Sequence, residues 1–171
     1  MPVTTCVERT AAAPAALDAA WVPNGPNQLF YPFVSSCVSI TLVFQNGLIG
    51  GHASQVDPHN VAQPAQNLQN VIARMIIADP GAIARGTFLK IYFIGTTSDP
   101  NWNLATATTA ITNHFGVPTT PVPSAHSLSP VDVVFDTNNG EYYVADRAGQ
   151  AATTAAQTIA DATNMMANLP Y

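Results

Sequence analysis

Apolar and polar positions follow two rhythms along this chain, one suited to strands and one to helices. From Phe30 to Phe44 the residues are mostly β-branched or aromatic, the composition of strands. Asn46-Gly47 follows, a strong hairpin signal, and "LIGGHAS" (48–54) reads as the returning strand. The helical rhythm is clearest in "QPAQNLQNVIARMIIADPG" (63–81). There Leu68, Val71, Ile72, Met75 and Ile76 recur on one face, Pro64 suits the first turn, and Asp79-Pro80-Gly81 ends the helix.

The remaining elements follow in order. Residues 1–10 read as a loose arm, and "AAAPAALDAAW" (11–21) as a short helix of good helix formers. "VPNGPNQ" (22–28) breaks the chain. "TFLKIYFIGTT" (87–97) alternates as a strand, and 103–116 reads as a helix capped by Gly116. Four prolines make 117–130 a loop. Residues 131–146 form a second hairpin, turned at Asn139-Gly140, and 148–169 a closing helix. Hairpins joined by helices without regular βαβ alternation predict an α+β fold: a mostly antiparallel sheet or sandwich flanked by helices. With 171 residues, the expectation is one domain over 1–171.

Composition narrows the function classes. Charged residues are only 9%, far below the usual share of about a quarter. Disorder pairs low hydrophobicity with high charge, and this chain, 47% hydrophobic, has neither. Its surface must be covered by neutral polar and small groups. The net charge of −5, with Arg9, Arg74, Arg85, Lys90 and Arg147 the only cationic side chains, argues against a nucleic-acid partner. No run reaches the roughly 18 to 20 apolar residues of a membrane span. "MPVTTCVERT" has neither a basic n-region nor an apolar h-region. The expected location is therefore the cytoplasm, or a host cell reached through an export system that reads no N-terminal signal.

Chemistry concentrates in "FYPFVSSCVSITLVFQNGLIGGHAS" (30–54). A thiol is nucleophilic only as thiolate and needs a base or a positive field. No Lys or Arg falls between Arg9 and Arg74, so histidine is the natural activator, and His52 shares the hairpin that Cys37 opens. Small residues before Cys37 let backbone N–H groups converge on one spot, a candidate oxyanion site. Gly50 and Gly51 permit a bulge or a close approach beside the base. A two-residue turn at Asn46-Gly47 pairs Thr41 with His52. Cys37 then lies on the same face, but about 13 Å further along the strand. His126 is a reserve base, and His59 and His114 rank lower. Cys6 and Cys37 are read as free thiols. No CxxC or HxxxH cluster marks a metal site, so no metal or cofactor is expected. Two other readings stay open: a binding or structural module with Cys37 buried, and a cysteine protease or transglutaminase using the same pair.

"SSCVSITLVFQNGLIGGH" (35–52) is similar to the active-site hairpin of the cysteine glutamine deamidases of the CheD, cytotoxic necrotizing factor and Burkholderia lethal factor group. "FYPFVSSC" resembles the aromatic approach of the toxin-type members, with Ser36 in place of their glycine. The interval of fifteen from Cys37 to His52 resembles the necrotizing-factor spacing. The resemblance covers about 25 residues. It implies a sandwich flanked by helices and a toxin-like effector that converts a glutamine of a protein substrate to glutamate. Cys37 is then nucleophile, His52 general base, and the Ser36 and Cys37 backbone N–H groups the oxyanion site. CheD and the lethal factor carry a threonine six residues before the cysteine, where this chain has Tyr31. A tyrosine does not fit that pocket, but its backbone carbonyl is a candidate orienter of the imidazole, a role assigned to a main-chain carbonyl in the necrotizing factors. Ser35, Thr41 and Gln55 are the alternatives for this third position.

Overall fold

The structure is a computed structural model that describes residues 1–116, 124–150, 154–162 and 166–169. Among them are ten strands and four α-helices. The strands are β1 (Val3–Thr5), β2 (Ala19–Pro23), β3 (Gln28–Val34), β4 (Cys37–Phe44), β5 (Gly47–Ser54), β6 (Phe88–Gly95), β7 (Ser124–Ser127), β8 (Val131–Asp136), β9 (Glu141–Asp146) and β10 (Met166–Asn168). The helices are α1 (Pro64–Ile77), α2 (Ala82–Arg85), α3 (Leu104–Phe115) and α4 (Ala155–Asp161). None of these helices is long and apolar enough to cross a membrane.

The apolar run from Phe30 to Phe44 divides at Ser35-Ser36, and its halves enter different sheets. One sheet runs β1-β3-β8-β9-β10, the other β2-β5-β4-β6-β7. Most pairs are antiparallel, the exceptions being β1 with β3 and β6 with β7. Alternation along β4 explains the layering. Val38, Ile40, Leu42 and Phe44 pack against Leu68, Val71, Ile72 and Met75 of α1 and Ala107, Ile111 and Phe115 of α3. Cys37 and Val43 face the other sheet, where Leu29, Tyr31, Val133, Phe135, Tyr142 and Val144 complete the sandwich core. Phe30, Val134 and Tyr143 turn outward beneath Ala155 of α4. The fold is α+β, as expected: two mostly antiparallel sheets face to face with helices outside.

Several expectations need correction. Residues 1–10 are not loose: β1 lies beside β3, Cys6 is fully buried, and the Cys6 N–H donates to the Phe30 carbonyl at 2.9 Å. The segment 11–21 forms no helix. Its last residues join β2, where Ala19 and Ala20 lie opposite Gly51 and Gly50, and Trp21 meets the Phe44 ring edge-on. Pairing along β5 outweighs alanine's helix propensity there. Residues 124–127 of the expected loop form the edge strand β7, and 117–123 lie outside the described residues. Of the helix expected over 148–169, α4 begins after the Thr154 cap, and 166–168 add a strand to the edge of β9. Residues 151–153 and 163–165 lie outside the description. The first hairpin turns at Gln45-Asn46, with Phe44 opposite Gly47. Gly47 is a strand residue because Trp21 and the Val22 carbonyl leave no room for a Cβ, which would come within 2.5 Å of each.

A buried ion pair fixes the approach to the Ser35-Ser36 corner. Asp132 of β8 is fully buried and accepts from Arg147 Nε at 2.7 Å and from the Phe33 N–H at 2.6 Å. Arg147 also reaches Asp161 of α4 at 2.9 Å. Phe33 has φ of 49°, an uncommon conformation for an aromatic residue, and its bonded N–H holds it there. Arg147→Met takes the guanidinium from the buried Asp132 carboxylate and is expected to lose about 3–5 kcal/mol in urea denaturation. A loss below about 1 kcal/mol, the range of exposed pairs, would show that this pair does not hold the corner.

Candidate functional site

Cys37 opens β4, and the antiparallel register sets Ser54 opposite it and His52 opposite Ser39. The turn at Gln45-Asn46 thus brings His52 two residues nearer to Cys37 than the Asn46-Gly47 turn implies. Cys37 and His52 become diagonal neighbours on one face, a separation that long side chains bridge. The Cys37 sulfur, a His52 ring nitrogen and a Glu8 carboxylate oxygen all lie within 4.8 Å of one another. The long strand separation is removed.

His52 is fully buried, so its polar atoms need protein partners. Its main-chain N–H donates to the Asp18 carbonyl at 2.9 Å. Its Nδ1 lies 3.1 Å from the Cys6 carbonyl, an oxygen that only accepts, so Nδ1 carries the ring proton. Nε2 is left with a lone pair, no hydrogen-bond partner among the described residues, and Glu8 Oε2 at 3.6 Å. Burial lowers the imidazole pKa below its ordinary 6.5, while Glu8 and the Cys6 carbonyl pull the other way. The ring rests neutral.

Cys37 is 2% exposed, and burial first, then Glu8, push its thiol up to about 12. The Ser35 backbone and the Ser36 side chain work against that rise, while Glu8 reinforces it. The backbone of Cys37 is pinned from the next strand. The Thr96 N–H donates to the Cys37 carbonyl at 3.0 Å, Thr96 Oγ1 donates to it at 3.2 Å, and Trp102 Nε1 donates to Thr96 Oγ1 at 3.0 Å. Gly95 lies against the same carbonyl, where a Cβ would fall 2.2 Å from the oxygen; only glycine allows this approach.

Tyr31 stands beside the pair without taking the orienting role. Its ring meets His52 edge-on with centroids 5.9 Å apart, and its hydroxyl donates to the Ile40 carbonyl at 2.7 Å and pairs with Thr41 Oγ1 at 2.8 Å. The carbonyl that fixes the imidazole belongs to Cys6. Gln55 is committed to Asp99 at 3.1 Å, and the Ser35 carbonyl accepts from the Ser129 hydroxyl. Gly50 and Gly51 serve close approach and not a bulge: a Cβ on Gly50 would strike Leu29 and Tyr31, and one on Gly51 would strike Met75 and Val71. The other histidines make no hydrogen bond to the pair, although His59 lines the cleft that reaches His52. His126 on β7 reaches the Tyr142 hydroxyl at 3.2 Å, His114 faces Asp79 at 3.9 Å, and His59 is exposed.

A cleft of about 270 Å³ reaches His52 and is lined by polar groups, among them Asp18, Ser54, Asp57, Asn67 and Arg74. Cys37 is not in its wall. Asp18 organises this side: its buried carboxylate takes Arg74 Nε at 2.8 Å from α1 and lies 3.2 Å from Arg9 Nε. Both cysteines are free. Glu8 and the Cys6 carbonyl are the members that sequence reasoning missed; the β-branched run Val3-Thr4-Thr5 was the available sign that this segment is a strand. No protein-family model and no curated protein sequence matches this chain.

These groups set a pH window for stability. Below about pH 6.5 the unfolded chain binds a proton at residue 52 that the folded chain resists, so stability falls as pH drops. Cys6 and Cys37 both rise from 9.0 to about 12, so between those values the unfolded chain releases thiol protons that the folded chain keeps. Stability therefore falls again as pH rises through that range. Urea midpoints measured against pH should show a plateau between the two limbs, and Cys37→Ser should remove one proton from the alkaline slope. An unchanged alkaline limb in that variant would contradict the assigned thiol.

Proposed function

We propose that this protein is a thiol-dependent amidohydrolase that deamidates glutamine in a protein substrate, with Cys37 as nucleophile and His52 as general base. The observation that carries the reading is the buried His52 Nε2, without a hydrogen-bond partner among the described residues and clustered with the Cys37 sulfur, with the opposite ring nitrogen held by a backbone carbonyl. Triads of this logic need a nucleophile, a base within reach and a third group that orients the base. The likeness of residues 35–52 to the glutamine deamidase hairpin supplies the substrate class, and a main-chain carbonyl as third member agrees with the necrotizing-factor arrangement.

The thiol rests protonated, so proton transfer accompanies attack and does not precede it. As the sulfur adds to the carboxamide carbon, Nε2 takes the thiol proton, and the Glu8 carboxylate at 3.6 Å stabilises the imidazolium. The oxyanion forms toward the Ser36 and Cys37 backbone N–H groups. Collapse expels ammonia, which receives the proton from Nε2, and leaves a thioester. Water, losing a proton to Nε2, then hydrolyses the thioester to glutamate and restores the thiol. With Cys37 buried, a glutamine reaches the sulfur only after neighbouring groups shift aside.

The test is intact-mass analysis of candidate protein substrates, with each conversion adding about 1 Da and releasing one ammonia. Cys37→Ser should lower turnover by about a thousandfold or more, and His52→Ala by about a hundredfold or more. Peptide cleavage in place of mass gain would reassign the pair to proteolysis. Full activity in Cys37→Ser would refute the mechanism, and a folded wild-type protein inert toward every amide tested would favour a binding module with a structural thiol.

A further inference from the structure

The same three side chains have a second chemistry that does not depend on the amide reaction. Cys37, His52 and Glu8 come from β4, β5 and the segment after β1, so no spacing rule along the chain detects them as a set. Their ligand atoms lie within 4.8 Å of one another, and His52 Nε2 is 3.6 Å from Glu8 Oε2. In a tetrahedral zinc site with bond lengths of about 2.0–2.1 Å to nitrogen and oxygen, those two donors stand about 3.3 Å apart. The nitrogen–oxygen pair requires only a small movement, and the sulfur lies within 4.8 Å of both.

The orientation of His52 adds an independent observation. Metal-bound histidines almost always donate their other ring N–H to a carboxylate, a carbonyl or water, which fixes the tautomer and raises the basicity of the ligating nitrogen. His52 has this arrangement: Nδ1–H to the Cys6 carbonyl, and a fully buried Nε2 with no hydrogen-bond partner among the described residues, aimed at the cluster. We propose that Cys37 Sγ, His52 Nε2 and the Glu8 carboxylate form a three-ligand site for zinc or a zinc-like divalent ion, with a fourth position left for water. Thiolate, imidazole and carboxylate together favour zinc over magnesium or calcium, which take oxygen donors. On binding, the sulfur–metal bond replaces the S–H bond and the proton passes to solvent, while His52 is already neutral and releases none. Ion binding occupies both the nucleophile and the base. Inhibition by zinc is the consequence that rests on the proposed function, whereas the binding itself does not.

The experiment uses the whole chain, reduced and stripped with a chelator, and titrates Zn²⁺ against a chromophoric competitor and Co²⁺ by absorbance. The expected result is one equivalent bound, with a near-ultraviolet thiolate-to-cobalt charge-transfer band. Cys37→Ser should abolish that band and weaken zinc by about a hundredfold or more, and Glu8→Gln should weaken it by about tenfold or more. Cys6→Ala, which keeps the backbone carbonyl, should retain the band. Glu8 is partly exposed, so its variant is the safeguard should Cys37→Ser fold poorly. No saturable binding to the folded wild type, or a band that follows Cys6 and survives loss of Cys37, overturns the proposal. Zinc binding in a protein without amidohydrolase activity leaves this site standing and removes the proposed function. Activity in a stripped protein that shows no one-equivalent thiolate band does the reverse.

Discussion

The hydrogen bond from His52 Nδ1 to the Cys6 carbonyl organises more of this molecule than its 3.1 Å length suggests. An imidazole buried on the inner face of a sandwich must find a partner, because an unmet polar group in the core costs about 1–3 kcal/mol. The partner comes from a segment 46 residues earlier in the chain. Satisfying the ring therefore requires that β1 pair with β3 and that Cys6 enter the core. Once Cys6 is placed, Glu8 follows two residues later and faces the sulfur. One contact sets the tautomer, docks the N-terminal segment and delivers the carboxylate.

The other constraint is space. Strands β4 and β5 are buried along their whole lengths, so both faces must close onto something. Gly50 lets Leu29 and Tyr31 descend on one side, and Gly51 lets Met75 and Val71 descend on the other. The pair of glycines before His52 is thus a packing device that holds the histidine at a fixed depth between the sheet and its neighbours. Gly95 performs the same service for the Cys37 carbonyl from β6. Cys37 and His52 are each positioned by close backbone contacts that a methyl group would disrupt.

What was legible in the sequence followed local periodicity. The apolar face of α1, the strand β6 and the two hairpins carry their signal within a few residues of themselves, and the α+β class follows from their order. The alanine-rich stretches misled because propensity there is weak, and the open edges of β5 and β9 offered ladders of hydrogen bonds instead. Ser35-Ser36 gave no local sign that the chain changes sheets between them. Within the site, Cys37 and His52 were readable because one hairpin joins them. Glu8 and the Cys6 carbonyl were not, since their approach depends on parallel pairing of the first strand with β3. The register of the β4–β5 hairpin was misread for a further reason: Gly47 was taken as a turn former, when its missing Cβ makes room for Trp21.

Electrostatics at the cluster favours a guarded thiol over a standing ion pair. With charged residues at 9%, the two cations of the cleft that reaches His52, Arg9 and Arg74, turn toward Asp18, and no cation among the described residues lowers the thiol pKa. Glu8 beside the thiol opposes its ionisation, yet together with Asp18 it favours a charged His52. These two effects act at different moments. At rest the carboxylate helps keep the sulfur protonated, while burial, against the pull of Glu8, keeps the ring neutral. In the proposed attack the proton would cross to Nε2 and the sulfur's charge would pass to the substrate oxygen, so the repulsion on sulfur would disappear while the attraction to imidazolium remained. Under the proposed mechanism, a carboxylate in this position would disfavour the idle thiolate while favouring the charge distribution of attack, restraining the sulfur without disabling it.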